Sequence, residues 1–116
     1  MQYDAEKYIT QIKKQSRSGS AVFLYMLQEE CAELIQAVSK LLRASGKVDS
    51  PTDVSLEKAI TMVREEMTDV QIMIDAVLFC YYGIEPGGKQ MRHEPMEVMK
   101  WERWKKRMED ENGDNH

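Results

Sequence analysis

Apolar side chains recur at helical spacing along most of the chain, and the breaks between them are rich in glycine, proline and serine. Residues three and four positions apart share one face of a helix, so this period predicts α-helices rather than strands. Gly46 and Gly83 suit the left-handed position that closes a helix, and Pro95 suits a first helical turn. The pattern predicts four helices, over about residues 4–15, 20–44, from 51–55 to 82, and 95–108.

Two pairs of carboxylates interrupt otherwise apolar stripes on the second and third predicted helices. Glu30 and Glu33 lie in the middle of the first stripe, and Glu66 and Asp69 take the equivalent place one helix later. The midpoint between the two pairs falls in the breaker-rich stretch 44–53. An antiparallel hairpin that turns there sets the pairs level with each other. The sequence therefore predicts that four carboxylates converge.

Such a cluster is a candidate cation site. Like charges a few ångströms apart raise one another's pKa, and burial adds to the cost, so the acids need a multivalent cation to ionise together. Carboxylate oxygens without thiolate or imidazole favour a hard ion, and we predict Mg²⁺, with Mn²⁺ able to substitute. A di-iron carboxylate bundle needs Glu-x-x-His on two helices, where this chain has acids instead. We expect His93 to be an exposed loop residue.

Size, charge and cysteine content narrow the classes of protein. At 116 residues, we expect one helical domain over 1–108, followed by a disordered acidic tail over 109–116. A formal net charge of −4 argues against binding a nucleic-acid duplex. The sequence offers neither a transmembrane run nor a signal peptide, so we expect a cytoplasmic protein without a membrane partner. Cys31 and Cys80 lie far apart in the hairpin register and are predicted to be buried thiols rather than a disulfide.

The doubled acid motif resembles that of the all-α nucleoside triphosphate pyrophosphohydrolases. This MazG-like group includes dimeric dUTPases, dCTP pyrophosphatases and phosphoribosyl-ATP pyrophosphohydrolase. Its signature, Glu-Glu-x-x-Glu followed one helix later by Glu-x-x-Asp, is met by Glu29, Glu30, Glu33, Glu66 and Asp69. The resemblance covers about residues 20–107, with a longer separation between the motifs than in many members. It implies a four-helix bundle-type MazG-like fold, built on a long antiparallel hairpin and completed by oligomerisation.

The resemblance also implies an activity, the Mg²⁺-dependent hydrolysis of a nucleoside triphosphate to the monophosphate and pyrophosphate. The metal ligands would be Glu30, Glu33, Glu66 and Asp69, and the catalytic acids would be Glu29, Glu30 and Glu33, with Glu29 a candidate base for water. The substrate phosphates would be bound by basic residues of the last helix, Lys100, Arg103 and Arg107. Because base pockets in the family are commonly completed by a second subunit, we expect a homodimer or a homotetramer.

Several alternatives stay open at this point. The acid pairs could instead bind basic residues in a non-catalytic helical interaction module. Within the enzyme class, phosphoribosyl-ATP hydrolysis is a further candidate, and the sequence does not choose among dCTP, dUTP and other triphosphates. Asp75 lies beside the acid stripe of the third helix and is either a further ligand or a hydrogen-bond acceptor behind the ligands. The aromatic side chains could stack on a base, although aromatic residues on helices more often serve packing.

Overall fold

The chain is all-α in the ranges that the structure describes. A computed structural model of the protein describes residues 5–17, 21–85 and 93–113. Regular secondary structure in these ranges is entirely α-helical, which confirms the predicted fold class. The helices are α1 (Ala5–Arg17), α2 (Val22–Ala44), α3 (Leu56–Tyr82) and α4 (Glu94–Gly113).

The helices divide between two compact units. The first unit contains α1, α2 and α3, and the second contains α4. The single domain expected over residues 1–108 stays a prediction.

α2 ends where the sequence predicts. Gly46 has a φ of 74°, in the left-handed region that glycine adopts without a Cβ penalty. The N–H of Lys47 donates to the Leu42 carbonyl at 3.0 Å, and the N–H of Gly46 donates to the Arg43 carbonyl at 3.1 Å. This pair of hydrogen bonds satisfies carbonyls that the helix leaves unpaired at its end. The predicted left-handed closing position at Gly46 is confirmed.

α3 is fixed by a cap at each end. The Ser55 hydroxyl accepts a hydrogen bond from the backbone N–H of Lys58 at 3.2 Å, which satisfies one of the free donors of the first turn. Because of this cap, α3 begins at Leu56, directly after the range 51–55 in which the sequence predicts its start. At the other end Gly83 takes a φ of 67°, and its N–H donates to the Phe79 carbonyl at 3.0 Å.

α2 and α3 pack along each other as an antiparallel hairpin. Glu30 lies close to Asp69 midway along the helices, and Arg43 lines a groove with Thr52 beside the turn. Positions later in α2 therefore lie beside positions earlier in the chain after the turn, as an antiparallel pair requires. Most of the side chains buried in this unit are small, which lets the two helix backbones approach closely. The buried apolar residues of the described part are Phe23, Ala37, Ala59 and Ala76.

α1 packs on α3 and is tied to the end of that helix by one lysine. The Lys13 ammonium lies 5.9 Å from the centroid of the Phe79 ring and 3.2 Å from a carboxylate oxygen of Glu85. Both contacts are partly exposed to solvent, so each is worth at most about 1 kcal/mol.

α4 is longer than the sequence predicts. It begins at Glu94, and the His93 ring accepts a hydrogen bond at Nδ1 from the backbone N–H of Met96 at 3.2 Å. His93 is exposed, as expected, but it acts as a helix cap. The helix continues to Gly113, where disorder was predicted from residue 109. Arg107 pairs with Glu111 one turn later at 3.7 Å, a spacing that supports helix in an acidic segment. Residues 114–116 lie outside the described part.

The cysteines are free thiols, as predicted, but only one of them is partly buried. Cys80 is half-buried, whereas Cys31 is exposed. The prediction that both are buried is wrong for Cys31, because it lies on an outward stripe of α2 together with Leu24 and Val38, which are also exposed.

Candidate metal centre

The acid pairs lie on α2 and α3 at matching heights of the hairpin. Each pair sits near the middle of a helix of more than twenty residues, which holds the backbone of its acids rigidly. The caps at Gly46 and Ser55 fix the lengths of the two helices on either side of the turn. As a result, the register that the sequence predicts from the position of the turn is the register observed.

Three carboxylates converge across the hairpin. One oxygen each from Glu30, Glu66 and Asp69 lies within 4.8 Å of the other two. Glu30 and Glu66 are half-buried and Asp69 is exposed, so the cluster opens to solvent on the Asp69 side. This spacing is compatible with one cation that takes an oxygen from each residue and completes its coordination with water or substrate oxygens.

The cluster perturbs one of its members. The pKa of Glu30 is raised above its ordinary value, first by partial burial and then by the neighbouring carboxylates. Of these charges, that of Asp69 contributes most, followed by Glu66, Glu33 and Glu29. The pKa is raised because burial and like charges both disfavour the ionised form of Glu30. A bound divalent cation would offset those like charges.

Two of the predicted site residues lie at the margin of this group. Glu33 and Glu29 are exposed, and neither belongs to the three acids that approach within 4.8 Å. Both still act on Glu30 through their charges. Glu33 as a fourth ligand, and Glu29 as the base that activates water, therefore stay predictions.

Asp75 makes a different contact. Its Oδ1 accepts a hydrogen bond from Nε2 of Gln71 at 2.9 Å, one turn back along α3. It is not one of the three converging acids. The observed partner of Asp75 is therefore an amide of its own helix. This contact does not connect Asp75 to Glu30, Glu66 or Asp69.

The basic residues predicted to bind phosphates are all exposed on α4. Lys100, Arg103 and Arg107 carry this prediction, and α4 belongs to the second unit. The Arg107 guanidinium lies 5.1 Å from the centroid of the Trp104 ring and also pairs with Glu111. These contacts hold Arg107 along its own helix. Phosphate binding by the three residues stays a prediction from the resemblance.

The capping role of His93 was not predicted from the sequence. The signal was present, because His93 stands directly before Glu94 and Pro95, and proline is favoured in the first turn of a helix. Histidine is not among the strongly preferred capping residues, which are serine, threonine, aspartate and asparagine. The Nδ1 atom of His93 nonetheless accepts the hydrogen bond from the Met96 N–H that a capping oxygen would accept.

Comparisons with known proteins do not place the chain in a family. No family model, curated protein or solved structure matches it. The likeness to the MazG-like group therefore rests on the acid motifs themselves. None of the described helices has the length and apolar character that crossing a membrane requires.

Proposed function

We propose that the protein is a Mg²⁺-dependent nucleoside triphosphate pyrophosphohydrolase with a MazG-like fold. It would convert a (deoxy)nucleoside triphosphate to the monophosphate and pyrophosphate. The observation that carries the proposal is the convergence of Glu30, Glu66 and Asp69 from two different helices to within 4.8 Å. Acids that only keep a helix surface solvated have no need to meet at one level of a hairpin.

The donor set suits a hard divalent cation. Three ionised carboxylates carry a charge of −3, which one divalent ion reduces to −1, and their oxygens are the ligands that Mg²⁺ prefers. The like charges that raise the pKa of Glu30 are charges that a bound cation would offset. Glu30, Glu66 and Asp69 would hold the ion, and the exposed Glu33 carboxylate is the fourth candidate for its shell.

The chemistry follows from the charges that meet at this site. A triphosphate carries about four negative charges, so it needs cations between it and an acidic cluster. When bound, Mg²⁺ supplies that bridge and lowers the pKa of a coordinated water. Glu29 would accept the proton of the attacking water. The new bond joins the water oxygen to the α-phosphorus, and the bond from that phosphorus to the bridging oxygen breaks, so that pyrophosphate leaves with the electron pair.

Self-association is part of the proposal. Leu24, Cys31 and Val38 are spaced seven residues apart on α2, and all three are exposed. On α3, Ile60, Met67, Ile74 and Tyr81 repeat the same spacing and are also exposed. Apolar residues at a seven-residue repeat form the seam between packed helices. A homodimer or homotetramer that covers these stripes would bury them.

The test of the reaction is a product analysis. We expect purified protein with Mg²⁺ and a panel of nucleoside triphosphates and phosphoribosyl-ATP to release pyrophosphate and the monophosphate, separated by ion exchange. Glu66→Gln should lower the rate by at least about 100-fold, since it removes a metal ligand. The matched control is Glu65→Gln, which makes the same change at the neighbouring residue outside the three converging acids and should leave the rate within about twofold.

The result also separates the enzyme from a non-catalytic interaction module. For the enzyme, Mg²⁺ should raise the melting temperature of the wild type and not that of Glu66→Gln. A melting temperature that Mg²⁺ leaves unchanged, together with no hydrolysis of any substrate in the panel, would favour the interaction module. Release of diphosphate and phosphate would contradict the proposed bond cleavage.

A further inference from the structure

A groove at the turn end of the hairpin is separate from the acid cluster. It has a volume of about 600 Å³ and is lined by Lys40, Arg43, Pro51, Thr52, Asp53 and Val54. Lys40 lies ten residues beyond Glu30 on α2, which corresponds to about 15 Å along the helix axis. A small ligand in the groove would therefore not reach the three converging carboxylates.

The two cations of the groove lack partners. Across residues 5–17, 21–85 and 93–113, no ion pair joins Lys40 or Arg43 to Asp53 or to another carboxylate. The Arg43 Nε–H is shielded from solvent and donates no hydrogen bond. Cations in the last turns of a helix stabilise its carbonyl end, which explains why the two charges stand here. It does not account for the Arg43 Nε–H, a shielded donor that could still pair with an acceptor placed in the groove.

Thr52 adds a neutral donor to the groove. Its hydroxyl oxygen accepts a hydrogen bond from the backbone N–H of Val54 at 3.3 Å. Because that bond uses a lone pair, the hydroxyl proton stays available to a ligand. Pro51 and Val54 offer apolar surface beside it, and the exposed Asp53 offers an acceptor.

We infer that this groove binds a phosphate monoester that carries hydroxyl groups, the chemistry of a sugar phosphate or of a nucleoside monophosphate. Arg43 and Lys40 pair with the phosphate oxygens, for which a guanidinium offers two parallel donors. The Thr52 hydroxyl donates to the same phosphate. Asp53 accepts from a hydroxyl of the organic part, beside the apolar surface of Pro51 and Val54. The inference is independent of the proposed hydrolysis.

The test uses the full chain in excess EDTA, so that the acid cluster holds no metal. Ribose 5-phosphate, AMP and inorganic phosphate are titrated separately by calorimetry, and the Arg43 Nε–Hε signal is followed by NMR. We expect both monoesters to bind more tightly than inorganic phosphate and to move the Arg43 signal. If AMP binds and ribose 5-phosphate does not, the base is required. If ribose 5-phosphate binds and AMP does not, the groove selects the sugar phosphate. Both outcomes support the inference.

Variants locate the binding. Lys40→Met and Arg43→Gln should each weaken monoester binding about tenfold or more, because each removes a charged hydrogen-bond donor. Lys47→Met and Arg64→Gln make the same changes outside the groove and should leave binding unchanged. Equal losses in both sets, or wild-type protein that binds neither monoester at millimolar concentration, would overturn the inference. If Arg43→Gln does not fold, the NMR titration of the wild type decides whether Arg43 contacts the ligand. Glu66→Gln should bind the monoesters normally, even if hydrolysis is never found.

Discussion

Glu30 on α2 and Asp69 on α3 offer carboxylate oxygens within 4.8 Å of each other across the hairpin. After partial burial, the charge of Asp69 is the strongest influence that raises the pKa of Glu30. The two residues belong to different acid pairs, separated along the chain by the turn and by parts of both helices. Their electrostatic coupling is therefore a direct consequence of the antiparallel register.

Removal of the Asp69 charge should lower the pKa of Glu30. Asp69→Asn keeps the size and shape of the side chain while it removes the charge that raises the pKa of Glu30 most. We expect the Glu30 pKa to move back toward its ordinary value in metal-free protein, measured by ¹³C NMR titration of the side-chain carboxyl groups. Glu65→Gln serves as the control, since Glu65 is not among the charges that act on Glu30. An unchanged Glu30 titration in Asp69→Asn would contradict the described geometry.

The same pKa shift predicts opposite effects of pH with and without metal. The ordinary pKa of a glutamate is about 4.5, and the value for Glu30 in the folded protein is higher. Between these two values the folded state binds more protons than the unfolded state, so metal-free stability should fall as the pH rises. Mg²⁺ requires the ionised carboxylate, so the stabilisation by Mg²⁺ should instead disappear as the pH falls through the folded-state pKa.

Thermal unfolding from about pH 4 to pH 8, with and without Mg²⁺, checks both slopes. Glu30→Gln should remove the contribution of this residue from the metal-free curve and weaken the effect of Mg²⁺. Glu65→Gln should keep both. A Mg²⁺ effect that stays constant across this range would show that Glu30 does not ligate the ion.

The hairpin and its register could be predicted from the sequence because the relevant signals are local. Gly46 and Gly83 stop their helices through a backbone conformation that depends on a single residue. Given those stops, the helical period alone brings Glu30 to the level of Asp69. The end of α4 was not predicted, because the acidic run after Met108 has no stop signal and gains support from the contact between Arg107 and Glu111.

The groove at the turn could not be predicted, because it depends on the path of an irregular segment. Lys40 and Arg43 look like ordinary exposed cations on a helix in the sequence. Only the approach of residues 51–54 to the end of α2 forms an open groove beside them. The exposure of Cys31 could not be predicted either. The helical period of α2 shows which residues share a face, but it does not show which apolar face packs against α3.

Ser55 should contribute measurably to the stability of the hairpin. Its hydroxyl caps α3 through the Lys58 N–H, and loss of such a cap typically costs about 1 kcal/mol. We expect Ser55→Ala to lower the free energy of unfolding by about that amount in urea, with an unchanged dependence on urea concentration. Ser50→Ala removes an exposed hydroxyl outside the helices and should have little effect. Equal values for the two variants would mean that the cap is not formed in solution.

A charge on the exposed stripe of α2 should prevent self-association without unfolding the protein. Ile35 lies four residues after Cys31 and three before Val38, so it shares the face of this stripe. It is 67% exposed in the single chain, so Ile35→Asp costs the isolated fold little burial. In an oligomer that covers the stripe, the same aspartate would be desolvated without a partner. We expect the variant to sediment as a monomer at concentrations where the wild type is a dimer or tetramer, with the same helical content by circular dichroism. Gln36→Asp adds the same charge at a neighbouring exposed position, about 100° around the helix, and should still associate. A wild type that sediments as a monomer would contradict the proposed assembly.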